Sequence, residues 1–188
     1  MKNIILVCGK KRAGKDTFFN ILDIKHPERF SRMKFAAPMY ETVNTAFGYE
    51  INDDNKETFD IRLNITPRKW MQEYGDMMKR ICGPAIFASI LAERADNTDA
   101  ETIIVTDCRF QEEIDFIRQM FDNVISVLIK RDKIVSIDNH ISERLDIKPD
   151  FIIENYGDLG DYADKVCDWY DKTIGDKYAE ENTGIGIV

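Results

Sequence analysis

The 188-residue chain has no excess of positive charge: 26 Lys and Arg stand against 34 Asp and Glu, a formal net charge of −8 and a pI near 4.9. A general nucleic-acid binder needs a basic surface to displace counterions, so that class is excluded as the main activity. The four cysteines (Cys8, Cys82, Cys108, Cys167) show no paired metal-ligand spacing and mostly adjoin apolar segments, which predicts buried free thiols in a reducing compartment. Of the two histidines, His140 has no second histidine near it and His26 is remote, so a hydrogen-bonded loop histidine is the expected state of His140. No apolar run is long enough to span a bilayer. Met1 leads straight into a short apolar segment without the basic start and cleavage site of a signal peptide, so a cytoplasmic protein is expected. Internal repeats and low-complexity segments are also missing. What remains, with 44% hydrophobic residues, is one globular domain over residues 1–188 with enough chain to bury a core.

Against this acidic background one cationic stretch stands out. Gly9-Lys10-Lys11-Arg12-Ala13-Gly14-Lys15-Asp16-Thr17 lies directly behind the apolar run Ile4 to Cys8 and in front of Phe18-Phe19-Asn20-Ile21-Leu22. Strand, glycine turn, lysine and helix start form a phosphate-binding loop. The glycines let successive N–H groups turn inward, and the helix N-terminus and Lys15 face the same anion. A nucleoside triphosphate is the expected ligand. Asp16 stands where Ser or Thr normally offers a hydroxyl to magnesium, and the hydroxyl follows one place later in Thr17. That displacement, and the lack of an Asn-Lys-x-Asp guanine motif, weigh against a GTPase switch.

Short apolar strands alternate with amphipathic helices, the pattern of a three-layer α/β/α fold around a parallel sheet. Strands are predicted at Asn3 to Cys8, Phe30 to Phe35, Thr102 to Thr106, Val124 to Ile129 and Phe151 to Ile153. Helices are predicted from about Gly14 to Ile24, from Pro38, from Pro67 behind a Thr66 cap, over Ile86 to Ala95, Phe110 to Phe121 and Tyr162 to Tyr170. Gly48 to Asn64 reads as a polar loop. Trp70, Met71, Tyr74, Met77, Met78 and Ile81 form a helical stripe expected to be core. Residues 131–148 form a charged segment read as a small lid, and 175–188 a loose tail.

Several residues can carry chemistry. Asp107 ends the central strand at the ligand-binding edge of the sheet, where a carboxylate can hold magnesium, orient the Lys15 region or cap the next helix. Arg109 beside it can grip a phosphate with two donors or lie on the surface. A mobile arginine closing over a moving phosphoryl group stabilises its charge; Arg131 and Arg144 are the candidates. Arg62 and Arg80, with Lys56 and Arg68, can supply cations to an acceptor phosphate. Trp70 can stack on a base, though core packing is its simpler role.

In order along the chain, five further segments accompany the loop: Phe35-Ala36-Ala37-Pro38, Thr66-Pro67-Arg68 with Gln72-Glu73-Tyr74-Gly75-Asp76, Thr106-Asp107-Cys108-Arg109-Phe110, His140-Ile141-Ser142-Glu143, and Asp150 to Gly157. Together they resemble the bacteriophage-type deoxynucleoside monophosphate kinases, whose loop also reads G-K-D-T. The resemblance implies a P-loop kinase fold, ATP and Mg2+ as cofactors, and a deoxynucleoside monophosphate as acceptor. It places Gly9, Lys11, Arg12, Ala13, Gly14, Lys15, Asp16, Thr17 and Asn155 on the nucleotide side. Asp16 and Asp107 become candidate metal ligands, and Arg62, Trp70, Arg80, Arg109 and Arg144 candidate acceptor contacts. Animal-type phosphomevalonate kinases share the loop, the D-x-R element and the I-E-N strand, and are the alternative on substrate. Small-molecule partners only are implied, and a homodimer is left open.

Overall fold

The computed structural model describes residues 2–52, 54–131 and 146–175. Five strands, β1 (Asn3–Cys8), β2 (Phe30–Met33), β3 (Thr102–Cys108), β4 (Asn123–Lys130) and β5 (Phe151–Glu154), form one sheet in the order β2-β3-β1-β4-β5. Every pairing is parallel. The helices are α1 (Lys15–Lys25), α2 (Ala37–Phe47), α3 (Pro67–Cys82), α4 (Ile86–Asp96), α5 (Gln111–Met120) and α6 (Leu159–Tyr170), the last running into a wide turn at Asp171–Gly175.

Alternation along β1 sorts the core into two layers. Ile4, Leu6 and Cys8 face α4 and α5 through Phe87, Leu91, Ile114 and Ile117. Ile5 and Val7 face α1 and α6 through Phe18, Leu22, Tyr162, Val166 and Tyr170. Phe18 and Leu22 are wholly buried, and each such side chain contributes roughly 1.5–3 kcal/mol of burial free energy. The helix after β1 thus covers one face and the helix after β3, its neighbour, covers the other. The crevice at the carboxyl ends of these two strands is where α/β sheets bind ligands.

The observed elements follow the expected ones with three instructive differences. Strand β2 stops at Met33, two residues early, because the N–H groups of Phe35 and Ala36 donate instead to the Asp107 carboxylate at 2.8 and 3.0 Å. Helix α6 begins three residues early, at Leu159. The Asp158 side chain accepts the Asp161 N–H at 2.9 Å and the Asp161 carboxylate accepts the Asp158 N–H at 3.3 Å, a reciprocal cap. The α3 stripe is only partly core. Trp70 and Met71 pack on Val43, Phe47 and Ile51, and Tyr74 and Met78 reach the main core, but Met77 and Ile81 are exposed. The reason is placement: α3 rests chiefly on α2, and less on α4, so its far turns overhang.

The thiol expectation is also corrected. Cys8 and Cys108 are buried, but Cys82 is exposed at the end of α3 and Cys167 is half-buried on α6. Thr66 caps α3 as expected, its hydroxyl accepting the Lys69 N–H at 3.2 Å. Most of the 131–148 segment, including Arg144 and His140, and all of the 175–188 tail beyond Gly175 lie outside the described residues. No helix among the described residues is long and apolar enough to cross a membrane.

Candidate active site

The loop after β1 curls over the end of the sheet. Gly9 and Gly14 have φ of 153° and 108°, and Arg12 has φ of 64°, an uncommon value for a residue with a side chain. The Ala13 N–H donates to the Lys10 carbonyl at 3.1 Å, closing the turn. Lys15 is buried, and its ammonium donates to the Gly9 and Lys10 carbonyls at 2.8 and 2.9 Å. Lying inside the loop's own curve, it is in reach of whatever anion the loop holds.

Two residues from the far end of the chain brace this curve. Asn155 donates its side-chain amide to the Ala13 carbonyl at 2.8 Å, and the Tyr162 hydroxyl donates to the Gly14 carbonyl at 3.0 Å. Both side chains are buried. A Cβ on Gly14 would lie 2.6 Å from the Asn155 amide nitrogen and 3.3 Å from the Tyr162 ring, so glycine is required by space as well as by φ. Asn155, expected on the nucleotide side, therefore acts on the loop itself. From the sequence, Tyr162 reads only as the first residue of the closing helix.

Asp107 stands at the end of β3 with both carboxylate oxygens accepting the Phe35 and Ala36 amides. It ties the start of α2 to the crevice. Burial raises its pKa, opposed by those two amides and by the Lys34 and Arg109 charges. Of the roles open to Asp107, capping α5 is not the one it takes: Glu113 does so, its Oε2 accepting the N–H groups of Arg109 at 2.8 Å and Phe110 at 3.1 Å. Glu113 is buried, and burial raises its pKa to about 7, opposed by the Arg109 amide and assisted by the neighbouring Asp107 charge. Lys79 of α3 lies with its ammonium 3.3 Å from the centre of the Phe110 ring, its pKa lowered by burial. This buried set fixes the backbone of Arg109, which is half-buried beside the crevice.

The other expected residues divide. Arg131, at the end of β4, reaches the Arg12 carbonyl at 3.5 Å, so it stands over the loop. Lys11 pairs with Glu57 at 3.2 Å, and Arg68 approaches the same carboxylate at 3.5 Å, drawing the polar 48–64 segment to the loop's edge. Arg62 is anchored in its own loop, on Asp60 at 2.8 Å and the Phe47 carbonyl at 2.9 Å. Trp70 is half-buried and stacks on Tyr74, ring centres 5.1 Å apart and nearly parallel, with Trp70 packed against the small α2 cluster. Arg80 is exposed in the last turn of α3. A residue that sequence reading missed, Arg32 of β2, pairs with Asp16 across the crevice.

For a divalent cation, no group of three His, Cys, Asp or Glu side chains converges among the described residues. Asp16 is exposed on the first turn of α1, and Thr17 follows it along the chain. One carboxylate and a hydroxyl suit magnesium, which keeps waters and takes its remaining oxygens from substrate phosphates.

Residues 50–166 match the model of the deoxynucleotide monophosphate kinases. The chain belongs to that family. The match starts beyond the loop, so the phosphate-binding turn and the family assignment are separate observations that agree. This small-molecule kinase also shares its fold with solved structures. A dephospho-CoA kinase from Campylobacter jejuni superposes with a TM-score of 0.53 over 94% of this chain and 100% of its own, at 19% identity. A gluconokinase from Sinorhizobium meliloti 1021 gives 0.53 over 95% and 97%, at 8% identity. The protein TT1252 from Thermus thermophilus gives 0.53 over 92% and 98%, at 11% identity. At these identities the likeness speaks to the fold alone. No curated protein matches the sequence.

Proposed function

We propose that the chain transfers the γ-phosphoryl group of ATP to a deoxynucleoside monophosphate, giving the deoxynucleoside diphosphate and ADP. The observation that carries this reading is the family match across 50–166, which spans the Asp107–Arg109 element, joined to a loop outside it whose curve surrounds a buried lysine.

In this reading the loop amides and Lys15 hold the β- and γ-phosphates, and Lys15 exchanges its carbonyl partners for phosphate oxygens. Arg109, held by Glu113, grips the acceptor phosphate, with Arg62, Arg80 or Arg144 supplying further charge and Trp70 flanking the base. An oxygen of the acceptor phosphate attacks the γ-phosphorus, the bond to the bridging oxygen breaks, and that oxygen leaves with ADP. The attacking oxygen is already anionic, so no general base is needed. Catalysis is positioning and charge neutralisation, to which Arg131 contributes from the loop's rim. Magnesium bound near Asp16 and Thr17 supplies further neutralisation of the polyphosphate; Asp107, with both oxygens on backbone amides, serves chiefly to hold the acceptor-side loop.

The test is ADP release from ATP with a panel of deoxynucleoside monophosphates, ribonucleoside monophosphates and phosphomevalonate. Turnover restricted to one or more deoxynucleoside monophosphates is the expected result. Turnover only with phosphomevalonate transfers the assignment to the alternative kinase, and ATP binding without any acceptor-dependent turnover overturns both.

A further inference from the structure

Asp16 poses an electrostatic problem. It follows Lys15 directly, on the first turn of α1, where a carboxylate suits the helix dipole but stands close to where a polyphosphate of the same sign would lie. Arg32 faces it from β2. The Arg32 guanidinium donates to Asp16 Oδ1 through Nη2, and to the Thr106 hydroxyl through Nε at 3.2 Å. The Phe19 ring lies 5.3 Å from its central carbon. Lys34 adds a second cation 3.9 Å from the same Asp16 oxygen. Arg32 is thus held between α1 and β3 with its guanidinium on the Asp16 carboxylate, and the Asp107 charge also acts on it. Its side chain is 29% exposed and that of Asp16 is 59% exposed, so the pair lies at the mouth of the crevice rather than in the core.

Resting on the proposed binding of ATP at the loop, we propose that Arg32 is a positioning residue of the nucleotide site. It holds Asp16 and cancels the repulsion between that carboxylate and the polyphosphate when no divalent cation is bound, and so sets how strongly nucleotide binding depends on the cation. Loss of Arg32 removes the nearer of the two cations that oppose the Asp16 carboxylate beside the phosphates, leaving Lys34 at 3.9 Å, and a divalent cation can still offset the charge that is freed. The coupling between cation and nucleotide therefore rises. An arginine that only tied β2 to its neighbours would, on removal, weaken binding equally with and without the cation.

Calorimetry of ATP binding to the full chain, in EDTA and in excess magnesium, measures this coupling as a ratio of dissociation constants. Arg32→Gln should raise the ratio about tenfold, the scale of one unscreened charge at a partly exposed site. Asp16→Asn should lower it, and Asp16→Asn combined with Arg32→Gln should return it to within about threefold of wild type, since the local charge sum is restored. Arg32→Lys, which keeps the charge and loses the fork, should stay near wild type. An unchanged ratio in Arg32→Gln overturns the inference. Should that variant fail to fold, a double variant whose ratio departs from wild type by more than about threefold overturns it as well. Wild-type protein that takes up no ATP in either buffer sinks the proposed function instead, which keeps the two failures apart.

Discussion

On the loop side of the crevice, the carbonyls of Ala13 and Gly14 are held by the buried side chains of Asn155 and Tyr162. On the side of the 48–64 segment, Lys11 and Arg68 share the exposed Glu57, while Arg62 leans on Asp60, which is itself buried. Buried neutral hydrogen bonds with one geometry keep a backbone in a shape it would not hold alone, whereas exposed ion pairs are worth little and exchange readily with water. The loop is therefore set before any ligand arrives. Around Glu57, the charges of the proposed acceptor side can be re-paired by a ligand.

Lys15→Met bears most heavily on that division. It removes the loop's buried charge while keeping similar volume, and turnover should fall about 10³-fold or more with the melting temperature little changed. Normal activity in that variant would refute a phosphate role for the loop. Arg109→Ala is its counterpart across the crevice: kcat/KM for the acceptor should fall about 10²-fold while ATP affinity, read by calorimetry, stays within a small factor. If both affinities fell together, the two sides would not be separable.

Gly14→Ala tests the brace. A left-handed φ and the 2.6 Å approach to Asn155 should cost about 2 kcal/mol of stability, seen in a denaturant midpoint, and weaken ATP binding with it. Glu113 gives a pH-dependent signature. Its folded pKa of about 7 exceeds the ordinary 4.5, so the folded chain holds the extra proton across that window and stability falls as pH rises through it. Asp107 and Lys79 are the charged groups that share its surroundings. Glu113→Gln should lack this part of the slope, measured as midpoints at about pH 5 and about pH 8. The smallest effect belongs to Glu57→Ala, which should shift stability by no more than about 0.5 kcal/mol, because both of its ion pairs are open to solvent. A large loss there would mean that the acceptor side is as firmly built as the loop.

The legible parts of the fold were those written locally. Glycine spacing behind an apolar strand gave the loop, Thr66-Pro67 gave the start of α3, and an apolar run ending in Asp107 gave the buried strand β3, which folding sets beside the middle strand β1. What the sequence did not disclose depends on partners distant along the chain. Arg32 reads as an ordinary charge in a half-exposed strand, and nothing near it announces that it meets Asp16. Glu113 reads as one of several acids opening an amphipathic helix, until folding buries it under Lys79 and aims it at the Arg109 backbone. Met77 and Ile81 carry the periodicity of core residues, yet periodicity says only which face is apolar, not whether a neighbour covers it. The Asp107 carboxylate was placed correctly at the strand end, but its hydrogen bonds go to the amides after β2, a pairing that requires β2 and β3 to be adjacent.

The brace has a consequence for how the molecule is made. Asn155 and Tyr162 lie 142 and 148 residues downstream of the carbonyls they hold. A growing polypeptide emerges with the glycine loop and its local hydrogen bonds early, but the Ala13 and Gly14 carbonyls gain these partners only once β5 and α6 have been made. A product terminated before Asn155 would carry the glycine loop without this brace.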